Sequence, residues 1–277
     1  IPHQNGPGTA GRLAVAMATY LDRIVAAHRE RARADARPVE RLLEEAREAP
    51  APRGFSAALR TCPTRPAVVA EVKRRSPSKG DLAPDLDPAV LAKQYQAGGA
   101  ACLSVLTDAA HFGGSAADLA AAREATDLPT LRKDFTVDER DVCDARLMGA
   151  DAVLLIVAAI DPGELRAFSS LAYELGLDAL VEVHDEREAD RALDLGATLL
   201  GVNQRDLVTF EVDTERARRV ASAIPADVTA VAESGITGPD QARRLVESGY
   251  TGILVGEHLV TSGDPTAAVR ELVAACS

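Results

Sequence analysis

Eight short apolar runs recur along the chain from residue 67 onward, and no other feature of the sequence restricts the fold as strongly. They are AVVAEV (67–72), ACLSVL (101–106), LPTLRK (128–133), DAVLLIV (151–157), DALVEV (178–183), TLLGVN (198–203), VTAVAE (228–233) and TGILVG (251–256). Ala/Glu/Arg-rich stretches of helical periodicity separate them. Four runs are introduced by similar phrases, QAGGA, LMGAD, LDLGA and VESGY, in which a glycine closes a helix and the next strand starts at once. An alternation of strand and helix repeated eight times, at a spacing of roughly 24 residues, predicts a (β/α)8 TIM barrel. A doubly wound open sheet would use fewer strands and a GxGxxG turn directly after its first strand, and no such turn follows the run at 67–72.

The barrel is expected over residues 67–277, behind a disordered tail at 1–12 and an N-terminal helical extension at 13–66, with one domain overall. In the extension, Leu21, Ile24 and Val25 recur at helical spacing and Pro38 divides two helices. It has no strand and too few apolar groups for a core of its own. With 47% hydrophobic and 26% charged residues among 277, the chain can bury a full core. A net charge of -11 repels nucleic acid and anionic membranes on average, so any anionic ligand must be drawn by a local cluster of lysines and arginines. Cys62, Cys102, Cys143 and Cys276 are scattered, with no CxxC and no nearby His pair, which argues against zinc and against a disulfide framework. No apolar window approaches the length of a membrane span, and the start lacks the order of a signal peptide. A cytoplasmic protein is expected, and a monomer, because a barrel needs no partner for stability.

Charge collects where barrels keep their active sites, at the carboxyl ends of the strands. Those ends carry Glu71 and Lys73, Lys133 and Asp134, Glu182, Asn203 and Arg205, Glu233 and Ser234, and Gly256 and Glu257. One charged strand end is equally well read as a solvated loop residue. Independent loops, however, have no reason to place lysines, carboxylates and an amide at one barrel level on five or six strands. Such a set can run general acid/base chemistry on an oxygenated carbon substrate, and Schiff-base chemistry at either lysine stays open. AESGI (232–236) and VGEHL (255–259) each put glycine at a strand end before a helix, as in the phosphate sites that barrels build after their last two strands.

AEVKRRSPSKG, LSVLTDAAHFGGS, LRKDFTVD, GADAVLLIVA, LVEVHDEREADRAL, GVNQRDLVTFEVD and AESGI, in this order, resemble indole-3-glycerol phosphate synthase over roughly residues 20 to 275. The resemblance implies a cofactor-free reaction without a metal on a small phosphorylated substrate, 1-(2-carboxyphenylamino)-1-deoxyribulose 5-phosphate. It undergoes ring closure, decarboxylation and dehydration to indole-3-glycerol phosphate. It implies Lys133 as the acid for ring closure and Phe135 as a packing surface for the aromatic ring. Glu182 is implied as base in dehydration, Lys73 as an anion-holding lysine and second-step acid, and Glu71 as the group that holds the lysines. Asn203, Arg205, Glu233 and Ser234 match the remaining polar shell, while Ser76, with backbone near Gly235, Gly256 and Glu257, would complete substrate and phosphate binding. Burial beside another lysine is expected to lower a lysine pKa toward a useful acid's range, with neighbouring Glu working against it.

Two positions depart from the family pattern. Gln204 stands where Asn or a small residue is usual, and alternation points it away from the mouth. His258 stands where the family usually has Ser, either as a change without consequence or as an added phosphate contact. Phosphoribosylanthranilate isomerase and the tryptophan synthase α subunit, barrels of related chemistry, lack the EVKRRSPSKG and LRKDF pairing. A silent barrel that binds without turnover would be expected to have lost one of these acids or bases.

Overall fold

All eight apolar runs form parallel strands: β1 (Ala67–Val72), β2 (Cys102–Leu106), β3 (Thr130–Lys133), β4 (Ala152–Ile156), β5 (Asp178–Val183), β6 (Leu199–Asn203), β7 (Thr229–Glu233) and β8 (Gly252–Val255). They belong to a computed structural model that describes residues 19–206 and 208–276. The expected tail at 1–12 and the first expected extension residues, 13–18, lie outside the described residues. Each strand pairs with its sequence neighbours and β8 returns to β1, so the sheet closes into the expected (β/α)8 barrel. Glu71 lies opposite Ser104, and Asn203 opposite Glu233, so the polar strand ends share one level.

Alternation along the strands separates two cores. Val68, Ala70 and Val72 of β1 point outward and pack with the surrounding helices. Ala67 and Val69, with Leu131, Leu154, Leu180, Leu199, Val231 and Leu254 from other strands, fill the interior. Because both faces are buried, the strands read as nearly continuous apolar runs. The glycines of the four repeated phrases, Gly99, Gly149, Gly196 and Gly249, all take positive φ where a helix ends. Aspartates start many of the helices: Asp87, Asp138, Asp161, Asp185, Asp213 and Asp264 each accept a backbone N–H of the first turn.

Among the described residues three helices precede the barrel: α1 (Tyr20–Ala34), α2 (Val39–Glu48), which begins just after Pro38, and α3 (Phe55–Thr61). α3 plugs the amino end of the barrel, where Phe55 and Leu59 complete the interior core. At the opposite end α1 crosses the mouth. Arg29 donates to both Glu164 oxygens, at 2.7 and 2.8 Å, and His28 Nε2 lies 2.9 Å from Asp108 Oδ2. Burial disfavours the Asp108 carboxylate, but hydrogen bonds from His28 and His111 outweigh it and hold its pKa well below the usual range. Among the described residues no helix is long and apolar enough to cross a membrane.

Candidate active site

The inward alternation that builds the interior core turns polar at its last step. In β1 the inward series Ala67, Val69 continues to Glu71 and Lys73, in β3 Leu131 leads to Lys133, and in β5 Leu180 leads to Glu182. These ends open into one cavity, roofed by Tyr20, Leu21 and Ile24 of α1 and walled by Phe112, Phe135 and Phe210. Twelve of the thirteen residues to which the resemblance gives a role line it: Glu71, Lys73, Ser76, Lys133, Phe135, Glu182, Asn203, Arg205, Glu233, Ser234, Gly256 and Glu257. Gly235 does not. It lines an outer groove with Gln204, because the chain turns away from the barrel axis after the left-handed pair Ser234 and Gly235.

Lys133 is the centre of the charge network. Its Nζ donates to Glu182 Oε2 at 2.9 Å and, closer still, to Glu233. Lys73 Nζ donates to Glu71 Oε1 at 2.6 Å. Asn203 Nδ2 donates to Glu182 Oε1 at 3.1 Å, while Asn203 Oδ1 accepts the Arg205 backbone N–H at 3.0 Å. Arg205 and Lys79 approach Glu257 to 3.9 and 3.8 Å at the rim. Glu233 Oε1 is buried and has no hydrogen-bond partner among the described residues. It lies where a side chain at position 201 would project, so a Cβ on Gly201 would collide with it.

The electrostatics correct one expectation. Burial does work against the Lys133 ammonium, but the charges of Glu182, Glu233 and Glu71 outweigh it and raise its pKa above the ordinary value. For Glu182 burial favours the neutral acid, yet Lys133, His184 and Asn203 hold its pKa well below the carboxylate range. Glu233 goes the other way, pushed up to about 7 by burial and by the charge of Glu182, against the pull of Lys133. At neutral pH the cavity therefore holds a charged Lys133 against an ionised Glu182, with Glu233 the carboxylate that most readily takes a proton.

The sequence departures have locations too. Gln204 points away from the cavity as expected; it is buried, and its Nε2 donates to Ser234 O at 2.7 Å, steadying the turn after β7. His258 lies outside the cavity lining, and its Nε2 is buried without a partner among the described residues. The resemblance implies a helix across the mouth and Phe135 in the wall, but Tyr20, Phe112 and Phe210 were not singled out, because they sit in the extension, in a short helix and in a loop, where no strand alternation announces them. It also found no convergent His and carboxylate groups, whereas the fold brings ligand atoms of His28, Asp108 and Asp134 within 4.8 Å of one another. Protein donors already serve both carboxylates: Arg132, Thr107 and the Phe135 N–H for Asp134, His28 and the His111 N–H for Asp108.

The family model of indole-3-glycerol phosphate synthase matches residues 21–272. The chain belongs to this family. An indole-3-glycerol phosphate synthase of Nocardioides sp. is 58% identical over 205 residues, covering 74% of this chain and 79% of that one. Another, from Laribacter hongkongensis, is 47% identical over 263 residues, covering 93% of this chain and all of its own length. Among solved structures, thiamine phosphate pyrophosphorylase from Pyrococcus furiosus superposes with a TM-score of 0.57 at 21% identity, over 75% of this chain and 93% of that one; this likeness is one of fold. Motifs of the indole-3-glycerol phosphate synthase family thus supply the strand ends of the cavity, and its barrel supplies their common level.

Proposed function

We propose that the cavity converts 1-(2-carboxyphenylamino)-1-deoxyribulose 5-phosphate to indole-3-glycerol phosphate, releasing carbon dioxide and water, as a synthase of tryptophan biosynthesis. The observation that carries this reading is the contact of Lys133 Nζ with Glu182 Oε2 at 2.9 Å, an acid and a base side by side under an aromatic wall.

In the first step the carboxyl-bearing ring carbon attacks the sugar ketone while Lys133 gives a proton to the ketone oxygen. The Lys133 ammonium is fully formed at working pH, and the developing alkoxide is a far stronger base than a lysine amine. Carbon dioxide then leaves and the ring regains aromaticity. In the second step Glu182, held ionised, takes the proton whose loss accompanies departure of the hydroxyl, and Lys73 protonates that hydroxyl as water. Before catalysis Lys73 holds the substrate carboxylate, with Glu71 fixing the lysine from 2.6 Å. Phe135 and Phe112 pack on the ring, their centroids 6.4 Å apart. Ser76, Ser234, Arg205 and the backbone at Gly256 and Glu257 hold the phosphate, and no cofactor takes part.

The experiment supplies this substrate in chelator-containing buffer and follows indole fluorescence. Turnover by the parent, with a loss of about 10²- to 10⁴-fold in Lys133→Met and Glu182→Gln, is expected for a general acid and base. A parent that binds the substrate and leaves it unchanged would overturn the reading.

A further inference from the structure

His184 follows Glu182 by two residues, so β5 directs both side chains to the same side. Glu182 enters the cavity, whereas His184 stands behind it, between the strand end and the helix Glu186–Asp194. One carboxylate of that helix holds the ring: Glu188 Oε2 lies 3.1 Å from His184 Nδ1 and also accepts the His184 backbone N–H at 2.9 Å. This double attachment fixes the ring plane and sends Nε2 toward the cavity. Nε2 approaches Glu182 Oε1 to 3.3 Å, an ion-pair contact short of full hydrogen-bond alignment, and the atom is buried with no other partner among the described residues. The other Glu182 contacts come from Lys133 of β3 and Asn203 of β6.

We propose that His184 is a positioning residue for the dehydration step: clamped by Glu188, it presents Nε2–H to Glu182 Oε1, orienting that carboxylate and balancing its charge from behind. The role rests on the reading of Glu182 as base. Burial lowers the His184 pKa, but the close contacts with Glu182 and Glu188 and their charges outweigh it and bring it to about 9. The ring therefore carries two N–H donors at neutral pH, one for each carboxylate. Glu182 is then held on three sides, by Lys133, Asn203 and His184. A carboxylate so held loses little orientation between turnovers, which is what an efficient base requires.

The test combines a ring titration with pH profiles of turnover. The His184 ring signal is assigned by its disappearance in His184→Gln and followed by NMR in the free protein. It is expected to titrate near 9 in the parent and lower in Glu188→Gln. In His184→Gln, kcat is expected to fall roughly tenfold with KM within about twofold, and in His184→Leu, which keeps no donor, to fall further. The acidic limb of kcat should move to higher pH in both, since Glu182 has lost a cationic neighbour. A ring titrating near its ordinary 6.5 would overturn the proposal, as would an unmoved limb in variants that melt like the parent. A parent that binds substrate without turnover would remove the synthase reading and this role together, whereas turnover with an unmoved limb would remove this role alone.

Discussion

Raising the pH should weaken the folded protein through His184. In the folded state the imidazole keeps its proton up to about 9, while in the unfolded chain it releases it near 6.5. A group whose folded pKa lies above its unfolded value contributes stability that is fully present below the unfolded pKa and is lost as pH rises through the folded one. The window is therefore pH 6.5 to about 9. At about 1.36 kcal/mol per pH unit, that window sets an upper limit of about 3 kcal/mol. Lys133, with its pKa raised further still, stays charged throughout and does not blur the signal. Urea unfolding at intervals from pH 6 to 10, on the parent and on His184→Gln, isolates the contribution, because groups common to both cancel in the difference. The advantage of the parent should shrink across the window, which for a barrel of this size corresponds to roughly 2–4 °C of melting temperature per kcal/mol. Parallel stability curves would refute both the clamp by Glu188 and the charge assigned to the ring.

Gly201→Ala should push Glu233 away from Lys133, since the added methyl collides with Glu233 Oε1. A stability loss of about 1–3 kcal/mol with reduced kcat is expected, and Glu233→Ala in the same chain should restore stability in denaturant melts. At the other end of the barrel, Leu59→Ala should cost about 2–5 kcal/mol in thermal or denaturant unfolding and leave KM unchanged, because Leu59 is fully buried in the plug far from the cavity. His28→Leu removes the partner that ties α1 to the buried Asp108 carboxylate, at about 1–3 kcal/mol. Limited proteolysis should then cut α1 faster and KM should rise as the roof loosens; an unchanged cleavage rate would show that the helix is held by its other contacts, such as Arg29 with Glu164.

What could be read from the sequence divides along the range of the interactions involved. Strand alternation is local, and it carries the inward series of β1, β3 and β5 from apolar residues to Glu71, Lys133 and Glu182 without knowledge of any distant contact. Helix stops are local as well, and the glycine phrases at Gly99, Gly149, Gly196 and Gly249 mark them correctly. Gly235 lies in the outer groove for a neighbouring reason: Ser234 and Gly235 are both left-handed, and Ser234 is not a residue type from which that φ is anticipated. The direction of the Lys133 pKa depended on something no window of sequence contains. Its partners lie 49 and 100 residues away, on β5 and β7, and barrel closure alone brings them to one ammonium. A second lysine at the same barrel level suggested a lowered pKa, but Lys73 is paired with Glu71, and the carboxylates gathered from three strands decide the balance. His184 belongs between these cases: its face follows from alternation, whereas its partner Glu188 follows from a helix turn, and only both together show that the imidazole faces the Glu182 carboxylate.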